Sequence, residues 1–542
     1  MLISLLESPR LQAVLPDLPL GHIVPESTGS QETLSWIKRQ LNHCNEKHGC
    51  HRQPVKQTNP TRLICVKNGV RLVQNAETTV RYVCLSHCWG GITPVQTLSS
   101  NVDKHFQSIP WSSLPLTFQD TIQLIRALDI DYLWIDSLCI IQDDHMDWRR
   151  EAARMAEIYQ NAYLVVSATS SENAHGGLFR SVDSSFKPTA LDIDGCDEKV
   201  YFQKSFSHIS SFMDRRLNNP TNLPTLTRAW ILQERLLASR VLHFGPQELM
   251  WECLRDSVCQ CREPLSTSDL RDDVQHVSRL KEYFSARNWS DQSSQSLVKS
   301  WHRLIGDYSL LNITFGQDIF PAMSGIAKTF QNVKKSEYLA GLWQASLLED
   351  LTWHVEAASD WEHRLGEWRA PSWSWASTSS PVAFVEINEG LKPFCSVIDA
   401  SVTLAGADPT GEITEAHLLI KGYLVHTSIE HVDSDAARRT PWNTMKLQIL
   451  NKAITNIWAD YNCTIPGQDH LEPGARVECL LIGETIPSQS LIMLVLQQQG
   501  AEFRRLGLAQ VTKPPNRDSG LTSWLRAFAS GNDHHEQLIK II

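Results

Sequence analysis

Three short segments of the sequence carry polar and reactive side chains where a β-strand is expected to end or a helix to begin. In α/β proteins, ligand binding and catalysis concentrate at the carboxyl ends of strands. Side chains of these types at such positions therefore indicate a site for ligand chemistry. The three segments are residues 82–91, 132–162 and 228–235.

Cysteine and histidine residues offer a second chemistry, because zinc in proteins is usually bound by these two residue types. Their spacing fits no standard zinc finger. The two groups could meet only if the N-terminal segment folds back onto the following domain, so we predict no metal site and keep zinc as the alternative. The groups are His43, Cys44, His48, Cys50 and His51, and then Cys253, Cys259 and Cys261.

A thiol nucleophile is a third chemistry, because Cys88 directly follows His87. An imidazole can activate a neighbouring thiol as a nucleophile. Adjacent residues on a strand point to opposite faces, which argues against this pairing while the chain is extended. A turn at this point would weaken the objection.

The elements that would position these residues alternate between strands and helices. Thr117 and Asp147 are the predicted N-caps of two helices, and the apolar residues that follow each cap recur at helical spacing. This order favours a parallel or mixed sheet. The predicted strands are 83–86, 132–135, 163–168 and 241–244. The predicted helices begin at 116, at 147 and near 227, and the second of them continues to residue 162.

The sequence divides into four predicted regions. An N-terminal segment that contains the Cys/His cluster precedes an α/β domain, and a mainly helical region and a β-rich C-terminal region follow it. The strand-like runs of the last region include 477–482 and 491–497, with a predicted hairpin loop at 486–489. The four regions are 1–79, 80–255, 256–365 and 366–542.

The net charge and the composition exclude several classes of function for this chain. The 542 residues are 42% hydrophobic and have a formal net charge of −10, without a long basic block. This balance argues against binding to nucleic acid or to an anionic membrane surface. No apolar run reaches the roughly 18 residues of a membrane-spanning helix, and the N-terminus lacks the pattern of a signal peptide. We therefore expect a cytoplasmic protein without a membrane span.

The motifs in the three segments, taken in order, resemble the fungal heterokaryon incompatibility (HET) domain. The resemblance covers about residues 80–255 and implies a role in self/non-self recognition and programmed cell death. The motifs are CLSHCWG at 84–90, YLWID at 132–136 with SLCIIQ at 137–142, DW at 147–148 with Glu151, Met155, Ile158 and Tyr159, and RAW at 228–230 followed by QER at 233–235.

HET domains are thought to be distant relatives of TIR domains, which are flavodoxin-like modules. TIR domains either assemble as signalling scaffolds or cleave NAD at the nicotinamide–ribose bond. The resemblance implies that Glu234, four residues after Trp230 and on the same helical face, is the catalytic acid. Its carboxylate would stabilise an oxocarbenium-like ribose, and NAD would be a substrate rather than a cofactor.

Further roles follow from the same resemblance. Glu151 is the reserve candidate for the acid. The structural alternatives are a surface ion pair for Glu234 and Arg235, core packing for the tryptophans, and a turn cap for Asp136. The residues implied to bind the substrate are Ser86, His87, Cys88, Trp89, Gly90, Asp136 and Trp230.

Two functions from different classes are therefore open. The chain is either an NAD glycohydrolase that depends on Glu234 or a non-catalytic module that self-associates and signals to a protein partner. Replacement of Glu234 should abolish turnover in the first case and be nearly silent in the second.

Overall fold

The computed structural model of the chain forms two units, residues 1–290 and 291–542. The residues that the structure describes are 3–5, 21–50, 59–74, 80–91, 93–191, 200–204, 223–261, 281, 293–356, 365–431, 445–449, 452–454, 457–463, 470–512 and 536–542.

The first unit combines helices with a large mixed sheet. Its helices are α1 (Gln31–His43), α2 (Val102–Gln107), α3 (Leu116–Ala127), α4 (Asp136–Cys139), α5 (His145–Ala152), α6 (Met155–Asn161) and α7 (Ile231–Leu237). Its strands are β1 (Ile3–Leu5), β2 (Arg62–Cys65), β3 (Arg71–Gln74), β4 (Tyr82–Ser86), β5 (Tyr132–Trp134), β6 (Leu164–Ser167), β7 (Thr189–Leu191), β8 (Val200–Lys204), β9 (Arg240–Phe244), β10 (Leu249–Cys253) and β11 (Ser257–Cys259).

Four parallel strands form the centre of the large sheet. The strand order is β11-β10-β9-β6-β4-β5-β2-β3, in which β9, β6, β4 and β5 are parallel and the outer strands are antiparallel to their neighbours. Every residue of β4, β6 and β9 is buried, as expected for parallel strands covered on both faces. The carboxyl ends of the four strands therefore lie at one edge of the sheet.

The observed helices correct four expectations. Thr117 does not cap α3, whose N-cap is Pro115; instead its Oγ1 accepts a hydrogen bond of 3.0 Å from Gly177 N. The cap of α5 is Asp144, whose carboxylate accepts from the next helical amides, whereas Asp147 is buried inside the helix. The helix expected to run unbroken from 147 to 162 is two helices, α5 and α6. The helix expected near 227 is a 3-10 turn (Pro224–Thr227) followed by α7.

The N-terminal segment contributes to the same sheet. Strands β2 and β3 form a hairpin that pairs with β5, while β1 joins β8 and β7 in a separate small sheet. His51 lies outside the described residues. The large sheet therefore draws on residues before and after the α/β region that the sequence delimits.

The second unit combines helices with strands, and its C-terminal part is β-rich, as the sequence predicts. Its helices are α8 (Ser294–Ser309), α9 (Ser324–Lys334) and α10 (Leu347–Asp350). Its first strands are β12 (Tyr338–Leu339), β13 (Leu342–Trp343), β14 (Trp353–Val355), β15 (Val382–Phe384), β16 (Gly390–Pro393), β17 (Ser396–Leu404), β18 (Ile413–His431) and β19 (Met445–Ile449). The last are β20 (Lys452–Ile454), β21 (Ile457–Ala459), β22 (Arg476–Ile486), β23 (Leu491–Gln499), β24 (Glu502–Val511) and β25 (Glu536–Ile541).

The predicted hairpin around residues 486–489 is present, because β22 and β23 pair in antiparallel register on either side of it. Arg505 of β24 is fully buried. Its guanidinium lies 3.6 Å above the ring of Trp353, and its Nε donates a hydrogen bond of 3.0 Å to Asp460. None of the helices in the described ranges is long and apolar enough to span a membrane.

Candidate functional site

The end of β4 places Ser86 and His87 at the carboxyl edge of the sheet. Both are buried, and the His87 ring packs edge-on against Phe118 with ring centroids 5.0 Å apart. Among the described residues, neither ring nitrogen of His87 has a hydrogen-bond partner. Burial lowers the pKa of His87 to about 4, although nearby Asp136 opposes that shift. His87 is therefore neutral at pH 7, and its Nδ1 lies 3.9 Å from Asp136 Oδ1.

Trp89 and Asp136 connect the ends of two neighbouring strands. Trp89 Nε1 donates a hydrogen bond of 2.8 Å to Asp136 Oδ2, and Asp136 Oδ1 accepts one of 2.7 Å from Ser137 N. Asp136 is thus the first residue of α4, one residue beyond the expected strand end. Trp89 is half-buried and the Asp136 side chain is 21% exposed, so this pair forms the solvent-facing part of the cluster.

Glu234 lies on α7 and is buried. Its Oε2 has no hydrogen-bond partner in the part of the chain that the structure describes. Burial is the main cause that raises the pKa of Glu234, while the guanidinium of Arg228 and the hydroxyls of Ser86 and Tyr159 oppose the rise. The carboxyl group therefore faces groups from β4, α6 and the turn before α7.

Arg228 and Tyr159 belong to the site although the sequence assigned them no role. Arg228 Nη1 donates a hydrogen bond to the carbonyl oxygen of His87, which ties the turn before α7 to the end of β4. The Tyr159 hydroxyl donates one of 3.4 Å to Leu85 O. Both residues lie inside the motifs that carried the resemblance. Membership of a motif could therefore have pointed to them, whereas their residue types and spacing did not.

Cys88 turns away from the imidazole that precedes it. Its Sγ donates to Thr225 Oγ1 at 3.6 Å, and Thr225 in turn donates to Ala168 O at 2.8 Å. Burial raises the pKa of the Cys88 thiol. A buried, protonated thiol that is hydrogen-bonded to a threonine stabilises the fold and is not a nucleophile. Within the described residues, the imidazole of His87 has no hydrogen bond to this thiol.

Gly90 has a backbone φ of +70°, a conformation that favours glycine. A Cβ atom at this position would lie 2.5 Å from Asn173 Cβ and 2.9 Å from Glu172 O. The space beside Gly90, which the resemblance implied to bind the substrate, is therefore occupied by residues 172–173 of the chain itself. Gly90 lets the loop after β4 pack against the loop after β6.

Trp230 immediately precedes α7 and packs, half-buried, against the core of the first unit. Its carbonyl oxygen accepts a hydrogen bond of 3.3 Å from Glu234 N. The spacing of four residues is therefore helical, as expected. Trp230 supports the start of the helix that carries Glu234.

The reserve acid Glu151 is held in a different environment. Its Oε1 accepts a hydrogen bond of 2.6 Å from Thr61 Oγ1 and lies 3.9 Å from Arg154. Neighbouring Asp147 pairs with Arg62 of β2. These contacts fasten α5 to the N-terminal hairpin, and none of them involves a residue that faces Glu234.

The parallel strands and the helices between them define an α/β domain with a polar cluster at the carboxyl ends of its strands. Residues 82–234 match the family model described as Heterokaryon incompatibility protein (HET), and the chain therefore contains a HET domain over these residues. The matched range begins with the first residue of β4 and ends at Glu234. This match confirms the resemblance seen in the sequence and connects the chain with heterokaryon incompatibility. No curated protein and no solved structure matches the chain.

Proposed function

We propose that the HET domain cleaves NAD at the nicotinamide–ribose bond, with Glu234 as the catalytic carboxylate. The observation that carries this proposal is the unpartnered Oε2 of buried Glu234. The ring nitrogens of His87, which like Glu234 is influenced by the charges of Asp136 and Arg228, also lack hydrogen-bond partners among the described residues. Buried polar atoms are nearly always hydrogen-bonded, and exceptions often mark a place where a ligand or water binds.

The strand order supports a flavodoxin-like, and hence TIR-like, domain. Numbered from one in chain order, the parallel strands β4, β5, β6 and β9 stand in the spatial order 2-1-3-4. This is the order of the first four strands of flavodoxin-like folds, in which ligands bind between strands 1 and 3. Here those strands are β4 and β6, and the polar cluster begins at Ser86, the last residue of β4.

The chemistry suits a single carboxylate. In the cleavage, the bond between ribose C1′ and the nicotinamide nitrogen breaks, and its electron pair leaves with neutral nicotinamide. Water adds to C1′ and releases a proton to solvent, which gives ADP-ribose. An ionised Glu234 would stabilise the positive charge that develops on the ribose, and a site with little water strengthens that effect.

The surrounding residues would prepare Glu234 for this role. The positive charge of Arg228 and the hydroxyls of Ser86 and Tyr159 favour the ionised carboxylate against the effect of burial on its pKa. Half-buried Trp89 and Asp136 form the solvent-facing end of the cluster, where a nicotinamide ring could stack on the indole.

The biological role follows from the family. Removal of NAD would deprive a cell of an essential carrier of electrons, which suits a protein of self/non-self recognition that acts through programmed cell death. The alternative is a signalling module that works by self-association, and Glu234 distinguishes the two.

Nicotinamide release from NAD by the purified full chain tests the proposal. E234Q should lose at least about a hundredfold in rate, as when one preorganised electrostatic group is removed. E151Q tests the reserve acid, and E157Q, an exposed glutamate on α6, is the matched control that should retain the wild-type rate. Equal rates for E234Q and wild type would refute the proposal, and no release by wild type would favour the self-association module.

A further inference from the structure

We propose that Cys44, His48, Cys50 and Cys253 bind a structural zinc ion. One ligand atom from each of these side chains lies within 4.8 Å of all the others. Cys253 Sγ is 3.4 Å from His48 Nδ1. Three sulfur atoms and one imidazole nitrogen in a single cluster are a donor set that zinc prefers, and this site lies outside the polar cluster around Glu234.

The distances fit tetrahedral coordination. With zinc–sulfur bonds of about 2.3 Å and zinc–nitrogen bonds of about 2.0–2.1 Å, neighbouring ligand atoms of a tetrahedron are about 3.5–3.8 Å apart. The observed 3.4 Å between Cys253 and His48 is close to this value. The remaining pairs are within 4.8 Å, so a shift of about 1 Å would bring all four atoms into coordination.

The local backbone explains how three ligands converge within seven residues. Residues Cys44–His48 form one wide, π-helical turn directly after α1. Gly49 then adopts φ +59°, and its N–H donates a hydrogen bond of 2.8 Å to Cys44 O. This left-handed residue reverses the chain and returns Cys50 to the side of Cys44.

The fourth ligand, Cys253, is distant in sequence from the other three and follows residues 82–234. Cys253 is the last residue of β10, and it lies opposite Arg240 of β9. Arg240 in turn donates a hydrogen bond of 2.6 Å to Asn45 Oδ1. The N-terminal segment therefore does fold back onto the domain, which is the condition that the sequence spacing alone could not establish.

Burial and charge support a bound cation. Cys44, Cys50 and Cys253 are buried, and every cysteine in the described ranges is a free thiol. Arg255 N donates to Cys253 Sγ at 3.5 Å, which is the type of contact that stabilises a metal-bound thiolate. Three thiolates around Zn²⁺ would leave a net charge of −1 beside the buried guanidinium of Arg240.

The role of the ion would be structural. Four protein ligands complete the tetrahedron and leave no position for water or substrate. The ligands lie on both sides of residues 82–234, so the ion would join the chain before the HET domain to the chain after it. Cys253 also follows Glu252, which pairs with Arg235 of α7. The ion would thereby stabilise the hairpin that holds the helix of Glu234.

Metal content of the full chain tests the site without reference to enzymatic activity. Wild type purified without added chelator should contain one zinc per chain, and cobalt exchanged into the site should show thiolate-to-cobalt absorption. C253S and H48A should each lose the zinc. C65S, which alters a free cysteine outside the cluster, should retain it.

Two variants separate the site from its neighbours. His43 and Asp256 form a more exposed group with His48, and Glu248, Cys259 and Cys261 form another cluster. H43A and C259S should both keep one zinc per chain. Zinc-free wild type, or zinc that survives in both C253S and H48A, would overturn the proposal. If C253S does not fold, H48A and the cobalt spectrum of wild type still decide, because His48 is only partly buried.

Discussion

Arg235 and Glu252 form a buried ion pair that joins α7 to β10. Arg235 Nε donates a hydrogen bond of 2.9 Å to Glu252 Oε2, and both side chains are almost fully buried. Glu234, the preceding residue, instead faces Arg228, Ser86 and Tyr159. Two adjacent residues of opposite charge thus have separate partners. The alternative of a surface ion pair between Glu234 and Arg235 is incompatible with this burial.

Loss of the Glu252 charge should destabilise the first unit. E252Q would leave Arg235 without its buried counter-charge, and it would weaken contacts of 3.3 Å to His243 and Lys281. Removal of one partner from a buried pair costs about 3–5 kcal/mol. The free energy of unfolding, measured by urea denaturation, should fall by about that amount.

The matched control is D131N, which breaks the solvent-exposed pair of Asp131 with Lys67. Exposed pairs contribute at most about 1 kcal/mol. If E252Q and D131N proved equally mild, the buried pair would not be holding α7.

Ionised Glu234 should lower the free energy of unfolding, although the same carboxylate is proposed to be needed for activity. Its folded pKa is raised above the ordinary 4.5, mainly by burial, so the folded state binds the proton more tightly than the unfolded state. Wild type should therefore lose stability as the pH rises from 4.5 through the raised pKa. E234Q lacks this loss and should unfold at the same or a higher temperature than wild type at pH 7.

Nicotinamide release should show the opposite dependence, because the ionised carboxylate is the active form. The rate should rise with pH through the same raised pKa. E151Q is the stability control: it weakens the contact with Thr61 and should lower the free energy of unfolding by about 1–3 kcal/mol. An E234Q variant destabilised as much as E151Q would mean that Glu234 serves the fold and not a ligand.

His87 should make the first unit sensitive to acid. Burial lowers its folded pKa from 6.5 to about 4, so the unfolded state takes up a proton first as the pH falls. The difference corresponds to about 3 kcal/mol of stability, present above pH 6.5 and lost as the pH falls towards 4. H87L has no such proton uptake and should lose less stability in this range.

The difference between wild type and variant isolates His87 from other acidic groups. Unfolding curves at pH 7, 6, 5 and 4 would measure it, with H145L, at an exposed histidine on α5, as the control that follows wild type. A difference between wild type and H87L that does not change with pH would show that His87 keeps an ordinary pKa.

The sequence predicts the central sheet well because its strands are buried and therefore consist of apolar residues. The runs at 83–86, 132–135, 163–168 and 241–244 are apolar, and each corresponds to a strand within one or two residues. Helix starts are less well predicted, since a carboxylate can serve as a cap or as a buried ion. Asp147 is a residue type that often caps helices, but here it is buried and forms an ion pair with Arg62, 85 residues earlier. Asp144 is the N-cap instead.

The site is partly predictable for a related reason. Ser86, His87 and Asp136 follow directly from strand ends, because parallel strands bring their carboxyl ends to one edge. Tyr159 reaches Glu234 only because α6 packs against α7, and Cys44 reaches Cys253 only because the N-terminal segment folds back. Such contacts depend on tertiary packing between distant segments, for which spacing along one sequence carries no signal.

Gly90 should be sensitive to the smallest substitution. In G90A the backbone φ of +70° would be strained, and the new Cβ would lie 2.9 Å from Glu172 O, a backbone atom that cannot move away alone. G69A is the matched control, because Gly69 also has a positive φ but no atom within 4 Å of an added Cβ. Left-handed strain alone costs about 1–3 kcal/mol, so thermal unfolding should show that loss for G69A and a larger one for G90A. The loop after β4 also carries Trp89, so G90A should slow nicotinamide release whereas G69A should not. Equal stability and equal activity of the two variants would show that the packing of this loop against residues 172–173 does not shape the site.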